Sequence, residues 1–158
     1  MKQLWAPWRM EYIKRKDTTS SDCVLCYKEN QDDELIVYKG ERAYVMMNLY
    51  PYNNGHVMIS PTYHISDFDE LPVETQIEIM NLATTLMRFM RKEMDAEGFN
   101  MGANIGKAGG AGIDEHFHFH VVPRWHGDTN FMPVIGHTKV QVDGLKETCQ
   151  LLKKAFKN

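Results

Sequence analysis

The chain has 158 residues, 43% of them hydrophobic and 25% charged, with a formal net charge of −3. That length suits one domain around one core, and the acidic balance disfavours a general nucleic-acid binder, which carries a basic excess. The apolar runs are far too short to span a membrane, and three cysteines, an odd and low count, argue against a disulfide framework.

Residues 1–20 read as an N-terminal arm. Trp5, Trp8 and Ile13 are interrupted by Arg9, Glu11, Lys14, Arg15 and Lys16. No apolar core of a signal peptide forms there, so a cytoplasmic location is expected. A single domain is expected over 21–158. It opens with Cys23-Val24-Leu25-Cys26, a C-x-x-C that suits either a redox pair or half of a zinc site. The polar stretch 27–33 does not resemble the helix that a thioredoxin-type pair needs. Zinc would require two further ligands.

Three short strands are predicted next, Glu34–Lys39, Ala43–Asn48 and Gly55–Ser60. The turn at Gly40-Glu41 and the Tyr-, Pro- and Asn-rich loop 49–54 separate them, and Pro61 ends the third. Such spacing favours an antiparallel meander. A long helix is predicted from Pro72 to about Glu97, with Pro72 at its first position and Gly98 at its stop. Val73, Ile77, Met80, Thr84, Met87 and Met94 recur at helical spacing, and Ile79, Leu82, Leu86 and Phe89 widen the apolar face. The methionines from Met80 to Met101 read as core packing. Asn100–Ile105 is a fourth predicted strand and His116–Val122 a fifth, ended by Pro123, with a glycine-rich loop over 106–112 between them. Asp143 suits the N-cap of a final helix whose one face carries Leu145, Cys149, Leu152 and Phe156. The sum is an α+β domain, an antiparallel five-stranded sheet with one long helix and a C-terminal helix.

The fifth strand carries the chemistry. Side chains alternate across a strand, so His116, His118 and His120 point one way, about 6.5–7 Å apart. Phe117, Phe119 and Val121 point the other way, into a core. Three imidazoles on one face are costly unless that face lines a site. They suit either a metal cluster or nucleophilic attack on phosphorus, with flanking rings donating to phosphate oxygens. The surroundings favour phosphate. Glycines at 106, 109, 110 and 112 let backbone N–H groups approach an anion, Lys107 adds charge, and Arg124 just past the strand offers a fork for phosphate.

The run His116-Phe117-His118-Phe119-His120-Val121-Val122 resembles the histidine triad motif of the HIT superfamily of nucleotide hydrolases and transferases. Asn48 with Pro51, then Gly55–Ile59 and Pro61–His64, resemble that family's ribose-binding turn and following strand. Pro123–Phe131 resembles the Fhit-related branch and its bacterial diadenosine tetraphosphate phosphorylase and hydrolase relatives, as does the arm segment Leu4–Arg9. The Hint branch usually carries Gly-Gly where this chain has Pro123-Arg124.

The resemblance implies a HIT-like fold and a set of roles. His118 would be the nucleophile that attacks the α-phosphorus of a dinucleoside polyphosphate and holds AMP covalently. His120 would contact the phosphates, and His116 would complete the triad. Asn48 would bind ribose, and Asn104 the sugar or phosphate, beside Lys107, Gly110, Gly112 and Arg124. Cys23, Cys26, His64 and His116 would hold a structural zinc, with no catalytic cofactor required. A homodimer is implied, with strands and the long helix at its interface, and no nucleic-acid or membrane partner. One departure stands out. Gly112 occupies the position where most of the family carries glutamine, four residues before the first histidine. That glutamine helps orient phosphate or the attacking water, so its loss leaves room for inorganic phosphate as the second nucleophile. The alternatives are a nucleoside phosphoramidase, a nucleotide-sensing module with little turnover, and an enzyme that uses the triad as metal ligands. His56 is read as a structural hydrogen-bonding residue. Trp5, Trp8 and Trp125 suit adenine stacking or packing, and His126 and His137 receive no role.

Overall fold

The computed structural model describes residues 23–27, 34–136, 138 and 143–157. The N-terminal arm with Trp5 and Trp8, and His137, lie outside the described residues. Five strands form one antiparallel sheet: β1 (Ile36–Lys39), β2 (Ala43–Met47), β3 (Val57–Pro61), β4 (Gly98–Gly102) and β5 (Phe119–Arg124), in the spatial order β1-β2-β3-β5-β4. The main helix, α1 (Val73–Glu93), lies between β3 and β4 in the chain, and short α2 (Met132–Ile135) and α3 (Leu145–Leu152) follow β5. This is the α+β architecture expected. Among the described residues no helix is long and apolar enough to cross a membrane.

One face of the sheet carries the core. Val45, Met47, Val57, Ile59 and Val121 are fully buried there with Ile79, Leu86 and Met90 of α1 and with Cys149 and Leu152 of α3. The other face carries the histidines. β3 sits in the middle and all five of its residues are buried, as expected of a strand covered on both sides. The β1–β2 hairpin is tied to α1 by Glu78, whose carboxylate accepts from the backbone N–H of Glu41 (2.8 Å) and Arg42 (2.9 Å). Gly40 is needed in that turn, because a Cβ there would stand 2.0 Å from the Glu78 carboxylate and 2.8 Å from the Ala43 carbonyl oxygen.

Several boundaries shift by a few residues, β4 spanning Gly98–Gly102 rather than Asn100–Ile105, and three other shifts have identifiable reasons. The helix ends at Glu93 rather than Glu97, because Asp95 takes the left-handed conformation (φ 52°) and the Ala96 N–H closes back on the Met90 carbonyl. Asp thus supplies the left-handed residue that usually falls to Gly at a helix end; Gly98 instead opens β4. The fifth strand is shifted towards the C-terminus. Its ladder with β3 begins at Phe119, opposite Ile59; in that register Phe117 would face Pro61, which has no N–H to donate, and the Phe117 N–H goes to the Ile65 carbonyl instead. At the other end β5 runs through Pro123, whose carbonyl faces past the start of β3 and accepts from Asn53. The missing proline N–H therefore interrupts no ladder bond. The last helix starts one residue late, with Gly144 rather than Asp143 at its N-cap.

The apolar face of α1 also needs correction. Its buried residues are Thr75, Ile79, Leu82, Ala83, Leu86 and Met90. Val73, Ile77 and Met80, from the stripe read first, are 63%, 54% and 39% exposed. Of the methionines read as core, Met90 is buried, whereas Met80 and Met101 are exposed. Leu86→Ala is expected to cost about 2–5 kcal/mol by urea unfolding. Arg88→Ala, on the exposed face, should change stability by less than about 0.5 kcal/mol. Equal losses would place the buried face wrongly.

Candidate active site and metal centre

The triad segment enters the sheet part-way along, and this divides its histidines. His120 lies in β5 opposite Met58, while His116, at a bend, and His118 precede the strand. All three rings are buried, with His116 1%, His118 5% and His120 8% exposed. The His118 and His120 rings meet edge to face at 5.0 Å.

Backbone partners decide which nitrogen of each ring carries the proton, because a carbonyl can only accept and an amide N–H can only donate. His118 Nδ1 lies 2.8 Å from the carbonyl oxygen of His116, so Nδ1 bears the hydrogen and Nε2 keeps a lone pair. Among the described residues no sequestered side-chain nitrogen or oxygen lacks a partner, so this Nε2, which has none, opens on accessible space. Burial holds the His118 pKa below the ordinary imidazole value, against the hydrogen bond to the His116 carbonyl, which raises it. Burial therefore favours the neutral form of the ring, and the hydrogen bond to the His116 carbonyl leaves its lone pair on Nε2.

His120 is set from the opposite direction. The Tyr52 N–H donates to His56 Nδ1 (3.0 Å), so that nitrogen is bare and the His56 proton is on Nε2. His56 Nε2 lies 2.9 Å from His120 Nδ1 and donates to it, which leaves the His120 proton on Nε2. The Tyr52 ring packs on His56 (4.6 Å between centroids) and on His120 (5.8 Å). Two adjacent imidazoles thus have opposite tautomers: His118 offers a lone pair and His120 a donor. His56, wholly buried, does form the hydrogen bond expected of it, but its partner belongs to the site. The sequence signal for that was the histidine at the head of β3, two residues before Met58, the cross-strand partner of His120.

His116 is turned away towards the C-x-x-C. Its Nε2 donates to the Pro61 carbonyl (3.1 Å), so the bare Nδ1 faces Cys23 Sγ at 3.4 Å and Cys26 Sγ at 3.7 Å. His64 Nδ1 lies 3.3 Å from Cys26 Sγ. One ligand atom from each of Cys23, Cys26, His64 and His116 falls within 4.8 Å of the others, and neither cysteine is in a disulfide. Metal–sulfur and metal–nitrogen bonds of about 2.3 and 2.0 Å put the ligand atoms of a tetrahedral zinc about 3.3–3.8 Å apart. The donor set and its spacing therefore fit a divalent metal. Burial pushes His116 down to about 4, which keeps its ring neutral.

The other predicted residues distribute unevenly. Asn48 ends β2 beside His56, its carboxamide nitrogen 3.4 Å from His56 Nδ1 and its oxygen accepting from the Tyr50 N–H. Asn104 is half-buried at the head of the glycine-rich loop. Gly106 (φ 67°) and Gly110 (φ 87°) take left-handed turns there, Gly112 is half-buried, and exposed Lys107 pairs with Asp114 at 3.6 Å. Arg124 behaves differently from the phosphate fork expected. Its Nε and one terminal nitrogen close on both oxygens of Asp128 (2.6 and 2.9 Å), and the other terminal nitrogen donates to Asn100 (2.7 Å). Trp125 packs on the core with its indole N–H on the Met94 carbonyl, and His126 pairs with Glu97. Sequence reasoning missed Asp128 and Asn53 altogether.

Comparison with known proteins identifies the family. A family model described as the HIT domain matches residues 29–127. An AP-4-A phosphorylase of Mycobacterium tuberculosis is 35% identical over 96% of this chain and 83% of its own length. The crystal structure of a zinc-bound histidine triad family protein from Mycobacterium smegmatis is 27% identical, covering 76% of this chain and 81% of that one, with a TM-score of 0.63. A Plasmodium falciparum diadenosine triphosphate hydrolase, 20% identical and covering 94% of both chains with a TM-score of 0.66, shares the fold.

The ring assignments can be read directly. At neutral pH the imidazole ¹⁵N shifts of His118 should report the Nδ1–H tautomer and those of His56 and His120 the Nε2–H tautomer. The same tautomer at His118 and His120 would refute the division described here.

Proposed function

The chain belongs to the HIT domain family, and on that premise we propose that it is an enzyme that cleaves dinucleoside polyphosphates such as diadenosine tetraphosphate, with inorganic phosphate as the second nucleophile. The observation that carries this reading is the pair of opposed tautomers, a bare His118 Nε2 beside a donating His120 Nε2–H. It is supported by the name of the 35% identical relative, a phosphorylase.

In the first step His118 Nε2 attacks the α-phosphorus. A P–N bond forms, the bond from that phosphorus to the bridging oxygen breaks, and ATP leaves from diadenosine tetraphosphate. The ring is then an N-phosphorylated imidazolium, and its Nδ1–H on the His116 carbonyl stabilises the new positive charge. His120 Nε2–H donates to the phosphate oxygens on which negative charge builds. In the second step an oxygen of phosphate attacks the same phosphorus and the P–N bond breaks. ADP is released and His118 recovers its lone pair. Gly112, where glutamine would serve to orient water, favours phosphate in this step. Asn48 is the ribose contact in this reading, and Asn104, Lys107, Gly110 and Gly112 line the phosphates.

The Cys23, Cys26, His64 and His116 cluster would hold a structural zinc, closed by four protein ligands and tying the start of the domain to the triad segment. Two cysteines held close without a disulfide suit a reducing, cytoplasmic setting. The exposed Val73, Ile77 and Met80 stripe and the open β4 edge with exposed Met101 support a homodimer.

Diadenosine tetraphosphate incubated with the protein should give ADP and ATP only when phosphate is present, and His118→Ala should lower turnover by about 10⁴-fold or more. AMP and ATP without phosphate would make water the second nucleophile. No turnover in either condition, with His118→Ala indistinguishable from the wild type, would remove the enzymatic reading. Native mass spectrometry should find a dimer with about one zinc per chain. Cys26→Ser should lose the zinc and lower Tm by several degrees, because bound metal stabilises the folded state. A metal-free monomer would refute both supporting proposals.

A further inference from the structure

Past the histidines, at the end of β5, Asp128 gathers hydrogen bonds that the reaction does not use. Its side chain is 8% exposed. One carboxylate oxygen accepts from Arg124 Nε (2.6 Å), the Trp125 N–H (3.1 Å) and the Asn53 carboxamide (2.8 Å), and the other accepts from Arg124 (2.9 Å) and the Thr129 hydroxyl (3.2 Å). Arg124 holds the Asp128 carboxyl far below its ordinary value, so it stays ionised. Asn53 is also 8% exposed. Its amide nitrogen donates to the Pro123 carbonyl as well (3.1 Å), and its own carbonyl accepts from the His56 N–H (3.1 Å).

Asn53 is therefore fixed at both ends. Its neighbour, Tyr52, supplies the backbone N–H that strips His56 Nδ1 of its hydrogen and so puts the His120 proton on Nε2. Gly55 completes the turn at φ 76°, and a Cβ there would lie 3.1 Å from both Met94 and Pro123. The loop has little room to shift without moving the Tyr52 amide.

We propose that Asp128 and Asn53 are positioning residues for the reaction: the Arg124–Asp128 pair holds the Asn53 carboxamide, Asn53 holds the Tyr52 amide against His56, and His56 fixes the donor face of His120. This rests on the reading of His120 as a phosphate donor, but the tautomers can be read without turnover. Release of the Tyr52 N–H leaves His56 Nδ1 only the longer Asn48 contact (3.4 Å) and lets His56 and His120 exchange tautomers, so a fraction of molecules presents a lone pair to a phosphate oxygen where a donor is needed. Such molecules bind nucleotide but react slowly. The signature is a fall in kcat with little change in KM.

Asn53→Ala removes both amide donors, and Asp128→Asn keeps the shape while removing the charge. In each folded variant the His56 and His120 ¹⁵N shifts should move from a single Nε2–H tautomer towards a mixture, with His118 unchanged. The kcat for diadenosine tetraphosphate should fall about 10–100-fold with KM within about threefold, the scale expected from a small misplacement of a reacting group. Glu97→Gln loosens only the exposed Glu97–His126 contact in the neighbouring turn and should match the wild type in both readouts. Pure His120 tautomer and wild-type kcat in Asn53→Ala, whose smaller change tests the same link should Asp128→Asn fail to fold, would overturn the proposal. A rise in KM at constant kcat would overturn it too, because the cluster would then bind substrate. Absence of turnover in the wild type would count against the enzymatic reading alone.

Discussion

An imidazole has two nitrogens and, when neutral, one hydrogen, and the site depends on how that hydrogen is assigned. Two backbone groups do the assigning. The His116 carbonyl holds the hydrogen of His118 on Nδ1, and the Tyr52 amide, acting through His56, puts that of His120 on Nε2. Neither group has a choice of role, since a carbonyl cannot donate and an amide cannot accept. Rings that look equivalent in the sequence become one acceptor and one donor at 5.0 Å between centroids.

The fold supplies the rigidity this requires. β3 and β5 are inner strands, largely buried, with α1 packed behind them. The interruption of the β3–β5 ladder at Pro61 is part of the arrangement. Since the Phe117 N–H bonds to Ile65 rather than to the β3 backbone, the segment before Phe119 leaves the ladder and places His116 against the cysteines, with its carbonyl on His118. A ladder continued through His116 would engage that carbonyl between strands instead.

Much of this was legible in the sequence. The strand meander, the long helix and the alternation of His116, His118 and His120 follow from local periodicity, and the C-x-x-C announces itself by spacing. The parts that were not legible share a physical reason. On α1 two apolar stripes interleave, and the one that packs contains small residues, Thr75 and Ala83, that a search for large apolar side chains undervalues. The sheet decided the buried face, and the sheet is built from distant chain. The partners of His120 and Asp128 are likewise remote, 64 and 75 residues away for His56 and Asn53, and the decisive atoms at Tyr52 and His116 are backbone groups present at every position. Arg124 was misjudged because Asp128, four residues on, reads as a loop residue until the turn at Gly127 brings it round to face the guanidinium.

His116 serves two masters through different atoms. Its side chain belongs to the cysteine cluster, and its carbonyl to His118. Any amino acid at that position supplies the carbonyl, whereas only a ligating one supplies the side chain. The two duties are therefore separable over evolutionary time. A lineage that gave up the cysteines would release position 116 to vary without disarming the neighbouring histidine, so the first histidine of the motif should be its most replaceable member wherever the metal has been abandoned.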